Sequence, residues 1–198
     1  MNSHRSFLKK KILAMKAVFV GIFVLALPVM ITAQTKFIDR NGKASFFSSA
    51  PMEDIEAHNS HVVSILDTES GEIGVTMLMR SFNFKKALME EHFNENYVES
   101  SVYPKASFKG KVTNLPELNF AKNGKYVLDV TGEITLHGVT RSLSVRAEAI
   151  VENGAIQAKA VFPLTVKDFK IEIPKLVRDN IAETVEVTVS LNYQPMKM

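Results

Sequence analysis

The sequence predicts an all-β fold: an antiparallel sheet closed into a barrel of about eight strands, with one short helix. Three observations predict it. From about residue 105 onward, apolar and polar residues alternate with a period of two. Turn dipeptides, Ser70-Gly71, Asn123-Gly124 and Asn153-Gly154, punctuate the alternating runs. Only one segment has helical period, and one helix of about three turns cannot cover the apolar face of an open sheet. Closing the sheet on itself buries that face and removes exposed edges.

The chain begins with a different kind of segment. MNSHRSFLKKKILAMK carries Arg5, Lys9, Lys10, Lys11 and Lys16 and no acidic residue, and an apolar run to Ala33 follows. A basic region, an apolar region and small residues at Thr32 and Ala33 describe a signal peptide over residues 1–33, cut near Ala33. The competing reading is a membrane anchor. Ala17 to Ala33 is close to the shortest span of a bilayer, and Pro28 interrupts it. The expectation is therefore an exported domain over residues 34–198, with no stable membrane insertion after cleavage. The absence of cysteine excludes disulfides and a lipid-modified N-terminal cysteine.

This leader distorts the charge. The 198 residues carry 24 basic and 21 acidic side chains, a formal +3. Without the five basic residues of the leader the remainder stands at −2. No basic footprint for nucleic acid or for an anionic membrane remains. Residues 34–198 suffice for one domain with a sizeable core.

Shorter strands come first: KASFFS, then HVVSILD, then the longer GEIGVTMLMRSFNF. The helix follows in KALMEEHFNENY, where Leu88, Met89, His92, Phe93 and Tyr97 share one stripe. In YVLDVTGEITL, residues Tyr126, Leu128, Val130, Gly132, Ile134 and Leu136 share one face. LSVRAEAIV, IQAKAVF and VEVTVSLNY repeat the pattern. One face in water and one on a core favour antiparallel pairing. The inner face holds Gly110, Gly132, Ala147, Ala149, Ala158 and Ala160. Small residues there leave either an elongated apolar cavity or room that Phe, Met and Leu fill from opposite strands.

Candidate chemistry is sparse. The predicted mature domain has four histidines, His58, His61, His92 and His137, and no cysteine nucleophile, Gly-x-Ser-x-Gly elbow or phosphate-cradling loop. His58-x-x-His61, beside Glu53, Asp54 and Glu56, lacks the partner cluster that a metal needs and reads as a polar turn entering a strand. Glu90 and Glu91 read as solvated, with His92 beside Phe93 on a pocket wall. His137 lies one past Leu136, so the alternation points it outward, and with Gly138 and Thr140 it reads as turn punctuation. No catalytic residue and no metal site is predicted, and the protein is not expected to be an enzyme. Apolar groups crowd instead, with Met77, Leu78, Met79, Phe82, Phe84, Leu88, Met89 and Phe93 close together.

Two stretches, FNENYVESSVYPKASFKGKV and YVLDVTGEITLHGVTRSLSV, carry a family resemblance. The first ends its helix and loop in Tyr103-Pro104 before an aromatic strand with Phe108. The second has Gly132, Ile134, Thr135, His137, Gly138, Val139 and Thr140 in a strand and turn. Together they resemble the YceI-like family of exported bacterial lipid-binding proteins, over about residues 40–195. The Arg-Asp pair usual before the helix is replaced by Lys85-Lys86-Ala87-Leu88.

The resemblance implies an extended lipocalin-like barrel that holds a polyisoprenoid or other amphiphilic lipid without catalysis, in the periplasm or outside the cell. It implies no cofactor other than such a lipid, and leaves a homodimer open. The expected lipid-lining residues are Met77, Met79, Phe82, Phe84, Leu88, Met89, Phe93, Phe108, Tyr126, Leu128, Val130, Ile134, Leu136, Val145, Ala147, Ala158, Phe162, Val187 and Val189. The alternative is an interaction module with a filled barrel, acting through a disordered-looking stretch, Leu115 to Asn123, and a charged loop, Asp168 to Glu183. A lesser one is a hydrolase or isomerase using His92 and His137.

Overall fold

The computed structural model describes residues 35–196 except Ala121. The predicted signal peptide and its cleavage site lie outside the described residues. Gln34–Met198 form one compact unit. Among the described residues nine strands make one antiparallel sheet: β1 (Lys36–Ser49), β2 (Asp54–Asp67), β3 (Glu72–Leu78), β4 (Phe82–Phe84), β5 (Lys105–Val112), β6 (Gly124–Leu136), β7 (Val139–Glu152), β8 (Ala155–Thr165) and β9 (Thr184–Pro195). Each stave pairs with the next, and β9 returns to pair with β1. β3 and β4 both pair with β2 and share one position, so the barrel has eight staves. The predicted fold class is the observed one.

β6 to β9 pair with one another without a register shift. β6 and β7 keep register from Gly124↔Val151 to Leu136↔Val139. The hairpins that flank β7 turn on two residues each, with φ of 49° and 71° at His137 and Gly138, and 51° and 81° at Asn153 and Gly154. Positive φ at both central positions is the turn whose twist matches that of the flanking strands.

β1 and β2 run longer than the pattern suggests, because each resets its phase once, whereas the stretch GEIGVTMLMRSFNF, expected as one long strand, is divided into β3 and β4. In β1 the buried face passes from Phe37 and Asp39 to Gly42 and Ala44, with register shifts between Asp39 and Ala44. In β2 it passes from Ala57 and Asn59 to Val62, Ser64 and Leu66. Between β3 and β4 a 3-10 turn, Met79–Ser81, moves the inward side chains from Met77 and Met79 to Phe82 and Phe84. KASFFS is thus only the second half of β1, and His58 and His61 lie within β2, not in a turn. A bulge leaves backbone groups unpaired, and buried polar side chains serve them here. Asp39 accepts the amides of Asn41 at 2.9 Å and Asn192 at 2.6 Å. Asn59 donates to the Leu78 carbonyl at 2.9 Å and accepts the His61 amide at 2.8 Å.

The two ends differ. At one, the segment expected to be disordered is folded: Leu115–Glu117 form a 3-10 turn, Leu118 is buried, and Phe120 stacks on Phe37 at 5.9 Å. Asn114 anchors it by accepting the Asp129 amide at 2.8 Å. At the other end β4 pairs only with β2, while β5 starts opposite Leu78. The wall there is completed by α1 (Ala87–His92) and a π-helical turn, Phe93–Tyr97. That turn ends where Val98 donates to the Phe93 carbonyl at 2.9 Å. Among the described residues no helix is long and apolar enough to cross a membrane.

Candidate functional site

Inside the barrel lies a cavity of about 440 Å³. The regular staves give it one wall. From β6 come Leu128, Val130, Ile134 and Leu136; from β7, Val145 and Ala147; from β8, Ala158, Ala160 and Phe162; from β9, Val187 and Val189. Opposite stand Met77, Met79, Phe82, Phe84 and Phe108, and from the helical segment Met89 and Phe93. Seventeen of the nineteen residues assigned to the lumen from sequence therefore line one cavity, and Leu88 and Tyr126 do not. Leu88 is 61% exposed, because α1 packs inward through Met89, and the turn after it through Phe93, which leaves Leu88 facing out. Tyr126 has inward parity but sits at the closed end, where its hydroxyl donates toward the carbonyls of Asn119 and Lys122 at 3.3 and 3.2 Å. A filled barrel does not describe this interior.

Small residues make the room selectively. Ala147 pairs with Ala160, and Ala149 with Ala158, clearing one wall. Gly110 and Gly132 face each other across β5 and β6, and the Phe108 ring lies over both. A Cβ on either would come within 2.6 and 2.8 Å of that ring. These glycines let a large ring lie along the wall and do not themselves add volume. Near the split in the wall, Phe46, Phe82, Phe84 and Phe93 form one cluster, Phe93 lying 5.0 to 5.7 Å from the other three. Glu90 fixes α1 against it by accepting the Phe84 amide at 3.1 Å.

Sequence reasoning missed a second cover. The segment 166–183, of which Asp168 to Glu183 was expected to be a charged loop, contributes Ile171, Ile173, Val177 and Ile181 to the cavity lining. The alternation of Ile171 with Ile173 was a signal, masked by the charges of Lys170 and Glu172 and by Pro174. The segment is tied down by backbone bonds from Val166 to Glu183 at 3.0 Å and from Met52 to Asp179 at 2.9 Å. The Ala182 amide also donates to Ser48 at 2.9 Å. Glu53, another lining residue, makes an ion pair with Lys86 at the start of α1.

His137 is more than punctuation. Its side chain is only 10% exposed, with Nδ1 at 2.9 Å from the Phe169 carbonyl and Nε2 at 2.7 Å from a Glu99 carboxylate oxygen. Tyr103 meets the ring edge-on at 4.6 Å and also packs on Gly138, where a Cβ would approach it to 2.6 Å. The Tyr103-Pro104 and His137-Gly138 motifs thus touch. His137 joins the segment after the helix to the segment 166–183, and both ring nitrogens are engaged.

Polar chemistry inside is confined and paired. The Tyr193 hydroxyl lies 2.5 Å from Ser64 Oγ, which donates to the Gly74 carbonyl at 2.9 Å. Burial holds that phenol protonated far above its ordinary range; the Ser64 bond opposes the shift and the charge of Asp39 adds to it. His58 and His61 are exposed, and among the described residues no cluster of His, Asp or Glu is placed to hold a metal.

Three comparisons bear on this arrangement. The family model described as the YceI-like domain matches residues 32–193. No curated protein matches the chain. Among solved structures, a polyisoprenoid binding domain from Saccharophagus degradans, implicated in plant cell wall breakdown, superposes with a TM-score of 0.72 at 17% identity, covering 83% of this chain and 100% of that one. BcnA of Burkholderia cenocepacia gives 0.63 at 17% identity, over 76% of this chain and 95% of its own. The YceI protein of Campylobacter jejuni gives 0.51 at 17% identity, over 69% and 81%.

Proposed function

The chain belongs to the YceI-like domain family, and from that premise we propose that it binds an isoprenoid-like or other amphiphilic lipid non-covalently in its lumen. On this reading it is an exported carrier or sequestering protein of the periplasm or the cell exterior. The supporting observation is the 440 Å³ cavity, walled by Leu, Val, Ile, Met and Phe side chains and cleared by Ala147, Ala158 and Ala160. Each methylene moved from water to such a wall is worth about 0.8 kcal/mol, so a hydrocarbon chain binds tightly with few polar contacts. A polyisoprenoid-binding relative on the same fold supports the choice of ligand class.

No turnover and no cofactor belong to this reading. His137 is committed to Phe169 and Glu99, and the buried Tyr193 hydroxyl to Ser64. The basic and apolar leader to Ala33 supports export.

Native mass spectrometry of protein purified from its own host tests the proposal. The expected result is an apolar adduct that organic extraction removes and added lipid restores. A protein that repeatedly comes out empty and takes up no lipid would sink it.

A further inference from the structure

We propose that His137 is a proton-operated latch on the cover of the cavity: as an imidazolium it ties segment 166–183 to the segment after the helix, and loss of one proton frees that cover. The consequence for access to the lumen rests on the lipid-binding reading above; the latch itself does not.

The two contacts of the ring set its charge. Nδ1 faces the Phe169 carbonyl at 2.9 Å, and Nε2 faces a Glu99 carboxylate oxygen at 2.7 Å. A carbonyl and an ionised carboxylate only accept, so both ring nitrogens must donate. A neutral ring holds one proton, and in either tautomer it turns a lone pair on one of the two oxygens. When the Nε2 proton leaves for solvent, an ion pair becomes a carboxylate facing a lone pair. The ring is mostly buried, so little water replaces the lost bond. Glu99 is the charged group in contact with it, and Tyr103 meets it edge-on. The neighbouring elements also carry Arg141, Lys167, Asp168 and Lys170, and among the described residues none of these is ion-paired to it. Arg80, beside Glu99, donates to Ser100 at 3.3 Å.

The backbone is bent to bring these parts together. Glu99, His137 and Lys170 have φ of 45°, 49° and 57°, three of the four non-glycine residues at positive φ among the described residues. The fourth, Asn153, sits in the other turn flanking β7, where Asn-Gly is the usual choice. His137 takes the equivalent place, so this turn presents a titratable ring where an amide would suffice. The cover has other ties. Met52 to Asp179 and Ala182 to Ser48 hold its later half, and Val166 to Glu183 joins its ends. His137 holds the earlier half at Phe169, next to the cavity-lining Ile171 and Ile173.

Hydrogen exchange without added lipid, at about pH 5 and about pH 9 and corrected for intrinsic rates, tests this. The Lys170 and Ile171 amides, bonded to Lys167 and Val166, report on the cover. Relative to the amides of β8, they are expected to exchange roughly tenfold faster at the higher pH. Nitrogen NMR of the ring should show two protons at the lower pH and one at the higher. Glu99→Gln supplies a side-chain amide that donates to a neutral ring, so its cover should stay protected at both. His137→Gln should exchange fast at both. Equal protection of the unmodified protein at the two pH values overturns the latch. So does a singly protonated ring at the lower pH, or a Glu99→Gln protein that keeps the pH dependence. If His137→Gln does not fold, those three readings still decide. Failure here leaves the lipid reading standing, and a lumen that takes up no lipid leaves the latch standing.

Discussion

The two halves of the barrel solve the same problem in opposite ways. β6 to β9 are straight ladders joined partly by two-residue turns, and they give the cavity a plain wall of Leu, Val and Ala. β1 and β2 each carry a break in phase, patched by Asp39 and Asn59, a 3-10 turn parts β3 from β4, and together they give the cavity aromatic rings, methionines and the split beside α1. Regularity makes a plain wall, and interruption makes a split that α1 completes. The polar residues buried in the irregular half are what its broken ladders require, which explains why an apolar container keeps a carboxylate and an amide inside.

The sharpest way to break this contrast is Asn59→Ala. It strips partners from the Leu78 carbonyl and the His61 amide, and a loss of about 2–4 kcal/mol is expected in urea denaturation. Ser144→Ala, on the water face of β7, should stay within about 0.5 kcal/mol. Equal losses at the two sites would mean that the interrupted ladders do not depend on their patch.

The two tight turns offer the next comparison, since both have glycine at positive φ. Gly154→Ala meets nothing within 4 Å, so only backbone strain of about 1 kcal/mol is expected. Gly138→Ala adds a collision with Tyr103, and roughly 2 kcal/mol or more is expected in the same assay. The order of the two variants is the measurement that matters.

The smallest effect is one of pH. Burial raises the proton affinity of Tyr193 above that of an unfolded tyrosine, near 10. The folded state then keeps a proton that the unfolded state has lost, so this contribution is complete below pH of about 10 and drains away above it. The slope reaches at most about 1.4 kcal/mol per pH unit. Stability measured from neutral to alkaline pH should show that slope, and Tyr193→Phe should flatten it.

Most of the wall was legible in the sequence because period-2 alternation with Asn153-Gly154 between runs leaves little choice of register. Where the phase resets at Asp39 and Asn59, pattern reading shortened the strands, and at Met79–Ser81 it ran β3 and β4 together as one. A bulge is announced only by the polar side chain that later serves it. The lumen residues of β6 to β9 followed from parity alone, whereas Leu88 and Tyr126 did not, since each depends on where its element lies along the barrel axis. Ile171, Ile173, Val177 and Ile181 were hidden because two short 3-10 turns, Val166–Phe169 and Lys175–Val177, carry no sustained period, and the one alternating pair, Ile171 and Ile173, stops at Pro174. His137 was hidden for another reason: its partners, Phe169 and Glu99, are far away in sequence, and no local pattern carries that contact.

The seam that closes the barrel joins its first strand to its last, pairing Ile38 with Gln194 and Ala44 with Val189. Until the last residues of β9 are available, the sheet has two free edges, on β1 and on β8, each offering unpaired amides and carbonyls to any neighbouring chain. Local hairpins such as β6–β7 can form early, but the final step waits for the longest loop closure in the domain. The protein must therefore be delivered whole before it can be folded, and a chain stopped short of β9 is an aggregation hazard rather than a smaller barrel.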